Sequence, residues 1–157
     1  MSMDAQEIAE AVKRSMWAQD RASQSLGMEV LAIAPGGATL AMTVREDMLN
    51  GFEICHGGLI TTLADSTFAF ACNSYNELTV ASGFSIDIVA PARLGDRLTA
   101  VAREVSLAGR TGVYDITVKN QADQLVAVFR GKSYRIKGKP VVLLPLAPNL
   151  DSSEGEA

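Results

Sequence analysis

Hydrophobic and polar residues follow each other along the chain in a way that predicts two helices. Residues 57–73 are apolar at most positions and long enough for a buried helix, and Asn73-Ser74 supplies a stop signal. In residues 4–22, apolar side chains recur near helical spacing among Glu and Lys, which predicts an amphipathic N-terminal helix. The apolar positions of this second pattern are Ile8, Val12, Met16 and Trp17.

Segments with β-strand patterns account for most of the remaining chain. Residues 26–34 and 38–45 flank the turn signal Pro35-Gly36-Gly37, which predicts a hairpin. Four longer strands are predicted after the central helix, at 79–90, 97–107, 112–119 and 125–136. The order of hairpin, helix and then a meander of strands predicts an α+β fold, in which a curved antiparallel sheet wraps around the central helix.

The length of 157 residues suits one domain with a substantial core. We expect this single domain to occupy residues 1–140, because the sequence contains no repeat and no sign of a second domain. Residues 141–157 are interpreted as a C-terminal tail. Its first part, 141–146, is apolar enough to dock on a surface, whereas the last acidic and serine-rich residues are typical of disorder.

Composition argues against several classes of protein. The 14 basic and 18 acidic residues give a net charge of −4, so no overall field attracts nucleic acid. No apolar run reaches the length of a membrane span and the first residues are acidic, so we expect a soluble cytoplasmic protein without a membrane partner. Cys55, Cys72 and the single histidine do not have zinc-site spacing, which predicts free thiols and no metal.

One residue breaks the apolar pattern of the central helix. Asp65 stands where an ordinary core helix would have leucine, and buried carboxylates are usually paired, neutralised or used in chemistry. The loop Asn50-Gly-Phe-Glu-Ile-Cys-His-Gly-Gly58 leads into the start of the same helix. A helix start offers free N–H groups and the positive end of the dipole, and glycine lets a ligand approach closely. Together these features predict a site that polarises a carbonyl group and attacks it.

Residues 50–74 resemble the phenylacetic acid degradation thioesterases of the hotdog superfamily. The likeness rests on His56-Gly-Gly58 followed by Asp65, and it continues through Gly109–Val118 and Ala127–Ile136, so that it spans roughly residues 5 to 137. It implies a hotdog fold with an extra N-terminal helix. It also implies an enzyme that hydrolyses phenylacetyl-CoA, hydroxyphenylacetyl-CoA or a related acyl-CoA thioester to free acid and coenzyme A. Coenzyme A is then part of the substrate, and no cofactor is expected.

The resemblance also implies roles for individual residues. Asp65 is the catalytic carboxylate, Gly57 donates its N–H to the thioester carbonyl, and Asn50 assists. Family members are typically tetramers built from dimers. The spacing supports a dimer, because eight residues separate Gly57 from Asp65 by ~12 Å along one helix. Two antiparallel helices about a two-fold axis would bring Gly57 of one subunit to Asp65 of the other. The sequence leaves open whether Asp65 attacks the thioester directly or activates water.

Further residues are candidates for substrate binding. The phosphates of coenzyme A require a local basic cluster, and Gly109-Arg-Thr-Gly112 is the best single candidate for it. The basic residues of the last strand are also candidates, and the acyl group is expected near the strand that carries Phe84. The predicted substrate-binding set is Gly58, Ser66, Phe84, Arg110, Thr111, Gly112 and Lys132.

Other interpretations stay open at this point. His56 is either an acid or base of the reaction or a loop residue whose ring holds the turn. Asp65 is either catalytic or a structural carboxylate that is hydrogen-bonded at the dimer seam by Thr61, Thr62 or Ser66. Two other functions compete with the thioesterase: a hotdog dehydratase or hydratase that acts on a hydroxyacyl or enoyl thioester, and a non-catalytic acyl-CoA-binding protein.

Overall fold

The computed structural model describes residues 2–145, and the predicted helices and strands are confirmed within them. The long N-terminal helix is interrupted at Asp20, which ends α1 and caps the short helix α2. Among the described residues, no helix has the length and apolar character needed to cross a membrane. The helices are α1 (Ala5–Gln19), α2 (Arg21–Ser25) and α3 (Gly57–Asn73), and the strands are β1 (Glu29–Ala34), β2 (Gly37–Thr43), β3 (Thr79–Ile88), β4 (Arg97–Ala108), β5 (Thr111–Lys119) and β6 (Leu125–Arg135).

The six strands form one antiparallel sheet in the order β1-β2-β4-β5-β6-β3. The predicted meander is therefore correct for β4, β5 and β6 but wrong for β3, which pairs with β6 at the far edge of the sheet. The pairing runs from Thr79 opposite Arg135 to Ile88 opposite Ala127. Alternating side chains specify that a segment is a strand but not which strand it pairs with. Because β2 pairs with β4, the sheet is continuous from the first hairpin and β3 forms its opposite edge.

Helix α3 packs against the sheet through large buried side chains. The ring centroid of Phe68 lies 5.6 Å from that of Tyr114 and 6.0 Å from that of Phe129. Gly131 of β6 leaves room for this ring, because a Cβ atom there would lie 2.8 Å from it. Tilted aromatic pairs at such distances are favourable, and a close-packed interior resists displacement. The position of α3 on its own sheet is therefore fixed.

The start of the C-terminal tail is attached to the domain. Asn76 and Val142 exchange two hydrogen bonds: the Asn76 Nδ2 donates to the Val142 carbonyl at 3.0 Å, and the Val142 N–H donates to the Asn76 Oδ1 at 2.9 Å. Leu78 N–H also donates to the Lys139 carbonyl at 2.8 Å. The predicted docking of the first tail residues is thus confirmed at Val142. The rest of the predicted tail, 146–157, lies outside the described residues.

Candidate active site

The loop before α3 is held on both of its sides by backbone hydrogen bonds. The Cys55 N–H donates to the Ala92 carbonyl at 2.7 Å, and the His56 N–H donates to the Met48 carbonyl at 2.8 Å. Within the loop, the Asn50 Oδ1 accepts the Phe52 N–H at 2.9 Å. The Asn50 side-chain oxygen therefore shapes the loop, and its Nδ2 is the group that remains for a ligand.

The first turn of α3 leaves one backbone donor without a partner. His56 is the N-cap residue, and its Nδ1 accepts the Gly58 N–H at 3.2 Å. The N–H groups of Leu59 and Ile60 donate to the His56 carbonyl. The Gly57 N–H has no acceptor within residues 2–145. Of the two glycines predicted to meet the substrate, Gly57 has its N–H free, whereas that of Gly58 is already used.

A cavity of about 350 Å³ lies beside this free donor. Asn50 and Gly57 both line it, so the structure brings these two predicted site residues together. A Cβ atom on Gly57 would lie 2.9 Å from the Ile88 Cδ1, so a side chain here would crowd the end of β3. The remaining lining residues are mainly apolar: Ile54, Cys55, Ile60, Ile88, Val89, Ala90, Pro91 and Ala92.

Asp65 is half-buried on α3 and does not line this cavity. Burial raises the pKa of its carboxyl group, and the negative charge of Asp20 raises it further. The hydroxyl groups that a structural carboxylate would need are used elsewhere. Thr61 donates to the Gly57 carbonyl at 2.8 Å, and Thr62 donates to the Gly58 carbonyl at 2.8 Å. In the described part of the chain, Asp65 accepts no hydrogen bond.

His56 and the two cysteines have structural positions. The exposed His56 ring caps α3 through Nδ1, which is the geometry expected of a residue that holds the turn. Cys55 and Cys72 are both free and buried. Burial raises the pKa of the Cys55 thiol, and that of Cys72 to about 12. Both thiols are therefore protonated near neutral pH, so neither is activated as a nucleophile.

Of the turn residues predicted to bind coenzyme A, Arg110 lines a recess, whereas Thr111 and Gly112 make contacts within the fold. Arg110 lines a recess of about 540 Å³ together with Arg135, Lys137 and Lys139. Thr111 donates to the Ala108 carbonyl at 3.1 Å, so its hydroxyl holds the turn. Gly112 is buried, and a Cβ there would lie 2.5 Å from the Ser133 Oγ. Gly112 therefore has a packing role, and its place in the substrate-binding set stays a prediction.

The other substrate-binding candidates also differ in their surroundings. Lys132 is exposed on β6 and does not line the basic recess. Ser66 is hydrogen-bonded to Ser23 of α2 at 2.8 Å, so its hydroxyl is engaged within the chain. Phe84 is 49% exposed, and its ring stacks on that of Phe129 at 4.8 Å between centroids. Phe84 thus offers an open aromatic surface.

Strand β3 is an edge strand with an exposed apolar surface. It pairs with β6 on one side only. The unpaired edge of a strand of ten residues is a template for pairing with another chain. The exposed apolar side chains of this edge are Val80, Phe84, Ile88 and, just after the strand, Val89.

Some of the basic residues predicted around the last strand join the predicted turn. Lys137 and Lys139 line one recess with Arg110, although they lie far from it in sequence. One feature of the site was missed from the sequence. Asp20 acts on Asp65 from the N-terminal helical segment. No sequence pattern connects these two aspartates, because the contact depends on how α2 packs against α3.

Comparisons with known proteins agree on one family. The model of the thioesterase superfamily matches residues 52–127. The acyl-coenzyme A thioesterase PaaI of Escherichia coli is 45% identical over 124 residues, covering 79% of this chain and 89% of the relative. A putative esterase of Archaeoglobus fulgidus is 38% identical over 130 residues, covering 83% and 84%. The solved structure of the E. coli PaaI protein from the phenylacetic acid degradation operon superposes with a TM-score of 0.85 at 42% identity, covering 87% of this chain and 99% of that one.

Replacing Asp65 with asparagine is expected to increase thermal stability relative to the unmodified protein as the pH rises. The raised pKa means that the fold favours the protonated acid, and this advantage is lost as the pH rises through the folded-state pKa. The amide stays neutral throughout. Melting temperatures of both proteins, measured from about pH 4 to about pH 8, should therefore diverge in favour of Asp65→Asn. A difference that stays constant with pH would contradict the account of the Asp65 environment.

Proposed function

The chain belongs to the thioesterase superfamily, and on that premise we propose that it is an acyl-CoA thioesterase acting on phenylacetyl-CoA or hydroxyphenylacetyl-CoA type substrates. The products are the free acid and coenzyme A. The observation that carries this proposal is the unbonded Gly57 N–H at the start of α3, on the same helix as the half-buried Asp65. The E. coli relative named acyl-coenzyme A thioesterase, and the phenylacetic acid degradation operon of its solved structure, support the substrate class.

Hydrolysis of a thioester develops negative charge on the carbonyl oxygen. The Gly57 N–H, at the positive end of the α3 dipole, would donate a hydrogen bond to that oxygen. Asp65 in its ionised form then either removes a proton from attacking water or attacks the carbonyl carbon itself. In the first route the water oxygen bonds to the carbonyl carbon and the C–S bond breaks. In the second route the Asp65 oxygen displaces the thiolate to form a mixed anhydride, which water then hydrolyses to the free acid and the regenerated carboxylate. In both routes one water is consumed and the coenzyme A thiolate takes up a proton.

The competing hydratase would need His56 and Asp65 as an acid–base pair. The His56 Nδ1 atom is engaged in capping the helix, and α3 separates the ring from Asp65 along the helix axis. No described contact favours that function over thioester hydrolysis.

The complete site requires two subunits. Gly57 and Asp65 are ~12 Å apart along a single helix, so one carbonyl group cannot reach both within one chain. Two β3 edges that pair antiparallel about a two-fold axis would cover the exposed Val80, Phe84 and Ile88. The same axis would lay the two α3 helices antiparallel. Gly57 of each subunit would then face Asp65 of the partner subunit, which gives two identical sites.

The larger assembly and the cellular location are further parts of the proposal. We infer that dimers associate into a homotetramer, as the resemblance to the family implies. A cytoplasmic location is supported by the two free cysteines, since reduced thiols are usual in that compartment. It also fits the proposed substrates, which are intracellular thioesters of coenzyme A.

The basic recess is the proposed site for the coenzyme A phosphates. Arg135 is paired with Glu77 at 3.1 Å and lies 4.9 Å from the centre of the Tyr75 ring. Arg110, Lys137 and Lys139 therefore supply most of the available positive charge. The Arg110 Nη1 donates to the Tyr134 Oη at 3.2 Å, which fixes the guanidinium group at the rim.

The recess is also in a suitable place relative to the proposed dimer. Arg135 pairs with Thr79, so the recess lies beside the first residue of β3. The Gly57 cavity lies beside Ile88, the last residue of that strand. Antiparallel pairing of two β3 strands places the first residue of one near the last residue of the other. The recess of one subunit would therefore lie near the Gly57 donor of its partner.

The substitution Asp65→Asn is expected to preserve folding and substrate binding and to nearly abolish turnover. The amide has the shape of the carboxyl group but cannot act as base or nucleophile. Turnover is measured as free thiol released from phenylacetyl-CoA, and binding by calorimetry with the same thioester. Rates close to those of the unmodified enzyme would show that Asp65 is structural.

The contribution of the Gly57 N–H can be isolated with two substitutions. Gly57→Ala and Gly57→Pro both add a Cβ next to Ile88, but only proline removes the N–H. Proline is tolerated at the first helical position, and the ψ of 129° at His56 suits a residue before proline. We expect Gly57→Pro to lower kcat on the order of 10²-fold or more relative to Gly57→Ala. Equal kcat values for the two variants would argue against the N–H as the carbonyl donor.

Removing charge from the recess should weaken binding of the nucleotide part of the substrate. The double substitution Lys137→Ala and Lys139→Ala is expected to raise KM for phenylacetyl-CoA several-fold with little change in kcat. The control Lys119→Ala lies on β5 outside the recess and should leave KM unchanged. The phenylacetyl thioester of N-acetylcysteamine is a truncated substrate without phosphates. Its KM should be the same for these variants and the unmodified enzyme. An equal rise in KM for both substrates would place the phosphates elsewhere.

A further inference from the structure

The N-terminal helical segment makes a polar contact with α3 next to the proposed catalytic carboxylate. The hydroxyl groups of Ser66 on α3 and Ser23 on α2 are 2.8 Å apart. The Ser23 Oγ also lies 2.7 Å from the Asp20 Oδ2, and the Ser23 N–H donates to the Asp20 Oδ1 at 3.0 Å. Helices α1 and α2 precede residues 52–127, the part that matches the superfamily model.

The direction of these hydrogen bonds follows from the Asp20 carboxylate, which is the last acceptor in the series Ser66, Ser23, Asp20. An ionised carboxylate only accepts, so Ser23 donates its hydroxyl proton to Asp20. The Ser23 oxygen then accepts the proton of Ser66. Ser23 is 1% exposed, so water does not compete for these bonds. Asp20 is held by two donors from one residue, and its carboxylate stays at the junction of α1, α2 and α3.

Asp20 brings a negative charge close to Asp65. Burial is the main cause of the raised pKa of Asp65, and the charge of Asp20 is the second cause. Cys72 on α3 also interacts electrostatically with Asp65, but its thiol is neutral because burial raises its pKa to about 12. Among the described residues, no cation shifts the pKa of Asp65 in the opposite direction.

On the premise that Asp65 is the catalytic carboxylate, we propose that Asp20 is a positioning residue of the active site and acts on Asp65 through its negative charge. Ser23 holds Asp20 in place and is itself hydrogen-bonded to Ser66. A carboxylate is a stronger base when its conjugate acid is weaker. General bases are most effective when they titrate near the working pH. The N-terminal segment thus tunes the reactive group in addition to covering the sheet.

The test is the pH profile of kcat/KM for phenylacetyl-CoA hydrolysis in Asp20→Asn. Asparagine caps a helix as well as aspartate does, so α2 should persist without the charge. The rate depends on ionised Asp65 and falls as the pH falls through its pKa. Without the Asp20 charge this pKa is lower, so the acid limb of the profile should move to lower pH by a few tenths of a unit or more.

Asp4→Asn is the matched control. Asp4 caps α1 as Asp20 caps α2, it is exposed, and it has no hydrogen bond to Ser23 or Ser66. The control changes the net charge equally and should leave the acid limb in place. If the pH profiles of Asp20→Asn and Asp4→Asn both superpose on that of the unmodified enzyme, Asp20 is only a helix cap and the proposal is wrong.

A second variant covers the case in which Asp20→Asn does not fold. Ser23→Ala keeps the charge but removes the anchor, and it should move the acid limb in the same direction by a smaller amount. An unchanged limb in this folded variant would also overturn the proposal. Failure of the proposed function looks different, because Asp65→Asn would then retain turnover. An inactive Asp65→Asn with an unmoved limb in Asp20→Asn rejects only the role of Asp20.

Discussion

The rigid geometry of helix α3 is the constraint on which the proposed site depends. This helix begins at the free Gly57 N–H and carries Asp65 two turns later, and the two groups are kept ~12 Å apart by the helical rise. Packing of Phe68 against Tyr114 and Phe129 holds the helix on its own sheet. A single chain therefore has both proposed reactive groups but cannot use them on one bond.

The loop before α3, the β3 edge and the buried thiols each relate to this separation of Gly57 from Asp65. The backbone bonds to Ala92 and Met48 fix the loop, so that the helix start points into a defined cavity. The exposed apolar edge of β3 provides a surface on which a second copy can pair its own β3, which would lay the two α3 helices antiparallel. Burial keeps the thiols of Cys55 and Cys72 protonated, which leaves Asp65 as the proposed reactive side chain. Asp65 is a half-buried carboxylate without a hydrogen-bond donor among the described residues, and burial raises its pKa. Such perturbed groups are common at functional sites.

Much of this could be predicted from the sequence, because local signals were strong. Glycine before an apolar run and Asn73-Ser74 after it gave both ends of α3, and the hotdog fold and the family are confirmed. The place of β3 at the sheet edge was not predictable, since alternation does not encode the pairing partner. Gly112 was predicted as part of the turn for the coenzyme A phosphates, and its close approach to the Ser133 side chain depends on strand pairing that the sequence does not encode. The coupling of Asp20 to Asp65 likewise depends on tertiary packing.

The most direct test of a shared active site is complementation between two inactive variants. Gly57→Pro and Asp65→Asn are each expected to lose activity, and in a mixed dimer one of the two sites has both native groups. After the variants are mixed, unfolded and refolded together, activity should return to as much as roughly a quarter of the native value if subunits pair at random. Each variant refolded alone should stay inactive. A mixture that forms mixed dimers but remains inactive would contradict the account.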